Sequence, residues 1–125
     1  MGKDCRLKVE LSQSEPRETI YKFILSENGE MVGWCSTKWD KTGVTEINYE
    51  IYNKYRGCGY SIEGIRSVMD MLKNNKSVVK LVAKVNEKNI GAWRVLEKSG
   101  FNLQRVFLNK DENTMARVYI YDITA

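Results

Sequence analysis

Histidine is absent from the 125 residues, proline occurs once, and only three cysteines, Cys5, Cys35 and Cys58, are present at wide spacing. With no histidine and no C-x-x-C pair, most zinc sites are excluded, as is any Ser-His or Cys-His nucleophile. No apolar run reaches the ~18 residues of a membrane span. MGKDCRLKVELSQSE has no apolar stretch after its basic residues, so no secretory signal and a cytoplasmic location are expected. Excess charge of one sign is small: 20 basic against 16 acidic residues leave +4. That balance suits a phosphate-bearing ligand. It has no basic run of the length that nucleic-acid binding asks for, so neither nucleic acid nor membrane is an expected partner.

What is present is ordinary for a folded chain: 42% hydrophobic and 29% charged residues. At this length one domain over residues 1–125 is expected, burying ~65% of the surface of the unfolded chain.

Residues 5–11 alternate weakly, and TIYKFILS (19–26) is rich in β-branched and aromatic residues. Asn28-Gly29 supplies a tight turn, with MVGWCSTKW (31–39) as its hairpin partner. A second turn over 40–43 leads to VTEINYEIY (44–52), completing an antiparallel meander. The period then changes. Ile62, Ile65, Val68, Met69 and Leu72 recur at spacings of three and four, opposite Glu63, Arg66, Asp70 and Lys73, which predicts an amphipathic helix ending at Asn74-Asn75. VVKLVAKV (78–85) reads as an inner strand covered on both faces. A second helix carries Ile90, Trp93 and Leu96, with Ala92 and Val95 beside them, and Gly100 supplies a left-handed cap. Residues 101–108 and 114–123 predict a closing hairpin. The order predicts an α+β (α/β) domain: a mixed, mostly antiparallel sheet with two main helices against it.

YRGCGYSIEGI (55–65) joins a strand to a helix start with Gly57 and Gly59 in between. Outward amides and a backbone without Cβ atoms make an anion site, each helix-terminus interaction contributing ~0.3–2 kcal/mol, with Arg56 alongside. A plain strand-to-helix turn explains the same glycines. G-x-x-x-x-G-K-[ST] is lacking, and Ile62 stands where G-x-G-x-x-G needs glycine, which counts against nucleotide hydrolysis and dinucleotide redox chemistry.

Arg56-Gly57-Cys58-Gly59-Tyr60-Ser61 resembles the acyl-CoA loop of the GNAT superfamily of N-acetyltransferases, with Ser61 a slight departure. Asn86, Asn89, Ala92 and the LEKSGF run (96–101) resemble the matching segment of its RimJ/RimL-like branch, which acetylates ribosomal-protein amino termini. The resemblance covers about residues 44–106. It implies a cofactor, acetyl-CoA or coenzyme A, whose pyrophosphate lies on the 56–61 loop and whose arm runs between splayed strands 44–52 and 78–85. The cofactor-binding set is then Ile51, Tyr52, Arg56, Gly57, Cys58, Gly59, Tyr60, Ser61, Asn86, Asn89 and Trp93. Asn86 and Asn89 also suit helix capping, and Trp93 a core position. Cys58 is either a spacer or, at a helix start beside Arg56, a thiol that ionises more readily than usual.

The reaction so implied is direct attack of a primary amine, of a peptide amino terminus or a small molecule, on the thioester. An amide near Ile51 is the implied oxyanion donor. Glu46, Asn48 and Glu50 alternate on one strand face, opposite Ile47, Tyr49 and Ile51. Glu46 first and Glu50 second are candidate bases, with a solvated face or pairing to lysine as the alternative. Leu96 stands where many relatives carry a tyrosine acid, and SQSEPRE (12–18) is too short for the helix pair that relatives place between their first two strands. A non-catalytic acyl-CoA-binding regulator or subunit is therefore the rival reading. The acceptor cannot be read from the sequence, and self-association into a homodimer is left open.

Overall fold

A computed structural model of the chain describes residues 6–123. The meander forms as β1 (Leu7–Glu15), β2 (Glu18–Leu25), β3 (Met31–Trp39) and β4 (Val44–Ile51). A short 3-10 turn over Asn53–Tyr55 leads to α1 (Tyr60–Lys73), followed by β5 (Lys80–Asn86), α2 (Ile90–Lys98), β6 (Asn102–Asn109) and β7 (Thr114–Asp122). All join one seven-stranded sheet in the order β1-β2-β3-β4-β5-β7-β6. Neighbours are antiparallel except β4 and β5. The expected mixed, mostly antiparallel sheet with two helices is the observed fold.

Register explains where the core lies. Leu7 faces Leu25, Val9 faces Phe23, Tyr21 faces Cys35, and Cys35 faces Tyr49, so these residues share one face with Ile47 and Ile51. Leu81, Ala83 and Tyr119 continue it across β5 and β7. Ile65, Val68, Met69 and Leu72 of α1 and Leu96 of α2 pack onto that face in one apolar cluster. The opposite face, with Trp34, Ser36, Lys38, Glu46, Asn48, Glu50, Val82 and Lys84, carries no helix among the described residues.

Several expectations need correction. β5 is covered on one face only: Leu81 and Ala83 lie under the helices, whereas Val82 is half-buried and Lys84 exposed. Val78 and Val79 precede the strand; Val78 is core, and Val79 donates its N–H to Gly43 O at 2.8 Å. β1 runs on to Glu15, so the connection to β2 is the turn at Pro16 and Arg17, tighter than a 12–18 link and with no room for a helix pair. Its expected start at Cys5 lies outside the described residues. On α2 only Leu96 is buried, and Ile90 is 48% exposed, because the helix extends past the edge of the core. Glu63, placed on the solvent side of α1, instead accepts the Leu7 N–H at 2.9 Å and ties β1 to the helix start.

Candidate functional site

The parallel ladder between β4 and β5 is short, pairing Val44 with Lys80, Thr45 with Leu81 and Glu46 with Val82. β4 then stays with β3 as far as Ile51, while β5 stays with β7 as far as Asn86, so a gap opens between them. Tyr52 N–H donates to Val32 O at 2.9 Å and Val44 O accepts from Asp40, so even-numbered residues of β4 bond toward β3. Alternation along a strand turns the amides of Ile47, Tyr49 and Ile51 the other way, into the gap.

At the open end of the gap stands the glycine loop. Gly57 and Gly59 have φ of +82° and +81°, the left-handed region in which an L side chain is strained. A Cβ at Gly57 would meet nothing within 4 Å, so the backbone there faces open space. Gly59 is the N-cap of α1 and offers no side-chain cap; the first intrahelical bond runs from Glu63 N–H to Gly59 O at 3.3 Å. The amides of Tyr60, Ser61 and Ile62 are thus left without intrahelical partners at the positive end of the helix. Such a donor set at a helix start suits a phosphate-type anion, and a CoA pyrophosphate fits it on charge.

A groove of about 400 Å³ joins loop and gap, lined by Glu50, Ile51, Arg56, Gly57, Gly59, Tyr60, Ser61 and Asn89 among the expected residues. Tyr49, Tyr55, Ile62, Gly91, Ala92, Val95 and Lys98 complete its walls. A smaller cavity of about 210 Å³ sits deeper in the gap, where Asn86 and Asn89 meet Ile47, Asn48, Tyr49, Lys84, Val85 and Ala92.

Each expected residue has a defined place. Arg56 folds back, its Nε donating to Ile51 O at 2.9 Å with Nη2 3.9 Å from Glu50 Oε2. Asn89 is the N-cap of α2, its Oδ1 accepting the Ala92 N–H at 3.3 Å, which leaves Nδ2 for the groove. Asn86 is engaged locally: Oδ1 accepts the Lys88 N–H and Nδ2 donates to Thr114 Oγ1. Trp93 lies outside both cavities. Its Nε1 donates to Glu87 O at 2.9 Å and Arg117 stacks on its ring at 4.0 Å, an arrangement that fixes α2 on β7 rather than lining a cofactor arm. Tyr52 and Cys58 do not line the groove, and the Cys58 thiol is exposed. Leu96 is fully buried.

Glu46 is half-buried on the helix-free face at the last pair of the ladder, opposite Lys38 on β3, with no ion pair among the described residues. Glu50 is exposed at the groove mouth. The two carboxylates share a face as their spacing requires, but only Glu50 touches the groove.

Sequence reasoning missed Tyr49 and Arg6. Tyr49 donates its hydroxyl to Ala92 O at 2.7 Å, and burial pushes its pKa above the usual tyrosine range. Its odd-numbered place showed only that it shares a strand face with Ile47 and Ile51. Arg6 donates to Glu63 Oε1 at 3.0 Å and stacks on Tyr60 at 4.6 Å, which brings a cation to the glycine loop from the far end of the chain. No local pattern marks it.

Residues 3–102 match the family described as acetyltransferase (GNAT) domain. An uncharacterized N-acetyltransferase of Bacillus subtilis, YjdG, is 27% identical over 83 residues, which cover 65% of this chain and 49% of that protein. The chain thus spans about half the length of that curated relative. Among solved structures, a GNAT-family acetyltransferase from Bacillus anthracis superposes with a TM-score of 0.77 at 19% identity, covering 85% of this chain and 67% of the other. A variant of the spermidine N-acetyltransferase SpeG of Vibrio cholerae gives 0.77 at 13% identity over 88% and 68%. RimL, an alpha-N-protein acetyltransferase of a ribosomal protein, in complex with coenzyme A, gives 0.76 at 15% identity over 85% and 62%. At such identities these likenesses establish the fold.

Proposed function

Because this chain belongs to the GNAT acetyltransferase family, we propose that it transfers an acetyl group from acetyl-CoA to a primary amine by direct attack in a ternary complex. The observation that carries the reading is the parting of β4 from β5 beyond Glu46 and Val82, with the left-handed Gly57 and Gly59 at its open end. When bound, acetyl-CoA supplies an acetyl group already activated as a thioester, with a sulfur that leaves readily as thiolate.

The chain's own residues divide the remaining work. Amides at the start of α1 hold the pyrophosphate, with Arg56 and Arg6 adding positive charge around them. Asn89 Nδ2 and the amides of β4 that face the gap bond the arm. In this reading an amide of β4 that faces the gap, with Ile51 the first candidate, donates to a carbonyl oxygen that gains charge. Glu46 takes the amine proton, directly or through water, from the helix-free face, where no helix pair walls off an acceptor.

The acceptor is an amine that tolerates an open site. A peptide amino terminus fits the likeness to RimL and a small amine fits the likeness to SpeG, so the choice between them belongs to experiment. The test is release of free thiol from acetyl-CoA with a panel of peptide amino termini, polyamines and aminoglycosides. Turnover with one amine class supports the enzyme. A second reading, an acyl-CoA-binding regulator without turnover, is favoured by buried Leu96 and the short β1–β2 turn. CoA binding with no thiol release across the panel selects it.

A further inference from the structure

A third cavity, of about 270 Å³, lies away from the gap, at the opposite end of α1 from the glycine loop. The 14 residues of α1 put ~20 Å between the two ends. Thr19, Tyr21 and Thr37 form its floor, on the helix-covered face of β2 and β3, and Leu72 and Asn75 cover it. Trp39 supplies an aromatic wall, half-buried, at the end of β3. The surrounding backbone is tied down: Gly43 O accepts the Val79 N–H at 2.8 Å, and Asn75 O accepts the Val78 N–H at 3.0 Å. Thr37 has no exposed surface, yet its Oγ1 has no hydrogen-bond partner among the described residues. Thr45, the register partner of Trp39, holds a second buried hydroxyl in the same state. An interior hydroxyl left unpaired costs stability, so a ligand that reaches Thr37 recovers a bond that the fold forgoes.

We propose that this cavity is a second binding site, for a small neutral polyhydroxylated molecule the size of one sugar ring. Of its lining side chains only Asp40 and Lys41 are charged, and they cancel. An organic cation donates hydrogen bonds without accepting them and meets Lys41. An anion accepts without donating and meets both Asp40 and the negative end of α1. A hydroxyl does both, so a polyol pairs at once with a threonine hydroxyl, a carboxylate, an ammonium and the Asn75 amide. The Trp39 ring gives the C–H face of a sugar an apolar surface to lie on. The volume is just below the ~300–1,000 Å³ of sites for drug-sized ligands, which suits one small ring. This site stands on its own residues and does not rest on the acyl-CoA reading of the groove.

The test is a titration of the full chain, followed by its amide NMR signals, with glucose, galactose, mannose and ribose and with their methyl glycosides. Butylamine and acetate serve as the cationic and anionic probes. Saturable shifts confined to residues 19–21, 37–43 and 72–78, with 57–61 unmoved, are expected from at least one sugar. A free sugar and a glycoside both support the site, and the tighter of the two tells whether the ligand is free or part of a larger molecule. Thr37→Val, which exchanges the hydroxyl for a methyl of the same shape, weakens that binding by about tenfold, the scale of one hydrogen bond. The same change raises the urea midpoint of the ligand-free protein, because an unpaired hydroxyl leaves the interior. If Thr37→Val does not fold, Trp39→Leu removes the ring and is expected to weaken binding to a similar degree. No saturable shift at these residues with any sugar overturns the proposal. So does a response there to butylamine or acetate alone, or an unchanged sugar affinity in a folded Thr37→Val or Trp39→Leu.

Discussion

Glu46 and Val82 are the last Cα partners of the parallel ladder, and beyond this pair the two strands answer to different neighbours. Register alone therefore places a half-buried carboxylate at the vertex of the gap, with inward-facing amides along one of its sides.

Glu46→Gln is expected to lower kcat for thiol release by about 10²–10⁴, the usual contribution of a positioned general base. Glu50→Gln has a smaller effect, because Glu50 is exposed and lies near Arg56. Steady-state kinetics with a working amine acceptor decide it. Full turnover in Glu46→Gln assigns the proton to another group.

Gly57→Ala separates backbone from ligand. Its Cβ meets nothing within 4 Å, so the stability loss, about 1 kcal/mol, comes only from holding an L residue at positive φ. The same methyl projects from the proposed cradle, so CoA affinity falls as well. Urea unfolding and calorimetry report the two effects independently, and unchanged affinity with the expected stability loss contradicts the cradle.

Gly64→Ala pits helix propensity against packing. Alanine in a helix interior favours folding by about 1 kcal/mol over glycine. Here the new Cβ would lie 2.7–2.9 Å from ring carbons of Phe23, which has no exposed surface and nowhere to retreat. Overpacking costs about 1–3 kcal/mol, so a net loss of stability is expected from urea unfolding. A more stable Gly64→Ala means that the Phe23 ring shifts freely.

Much of this architecture was legible in the sequence. β2, β3 and β4 were marked by their residue types and by turns at Asn28-Gly29 and 40–43, and α1 by its spacing. The end of β1 was hidden because SQSE is polar on both faces, as an edge strand permits, and only pairing with β2 reveals it as strand. The insertion of β7 between β5 and β6 is a long-range choice that no local pattern encodes. At the site, the loop glycines were readable because positive φ selects glycine. Asn86 and Asn89 looked alike in sequence, yet Thr114, distant in the chain, engages Asn86. Tyr49 showed only its strand face, because the partner of its hydroxyl, Ala92, stands on another element.

Alkaline pH probes the core. Burial pushes the Cys35 thiol up to about 12 from its ordinary 9.0. Between those values the folded chain keeps a proton that the unfolded chain has released. This contribution to stability is therefore complete below about pH 9 and is lost as pH rises toward about 12, by at most ~1.4 kcal/mol per pH unit. Tyr21 and Tyr49, its register neighbours, are raised in the same direction by burial. Urea midpoints from about pH 8 to about pH 11 are expected to fall less steeply for Cys35→Ala than for the wild type. Parallel curves contradict the assignment.

The central claim is that the gap and its glycine loop form a CoA site, and calorimetric titration of CoA into the chain tests it most directly. Saturable one-to-one binding that weakens in Gly57→Ala is the result the account predicts. No heat of binding at about millimolar CoA, a concentration that detects affinities down to ~4 kcal/mol, contradicts it.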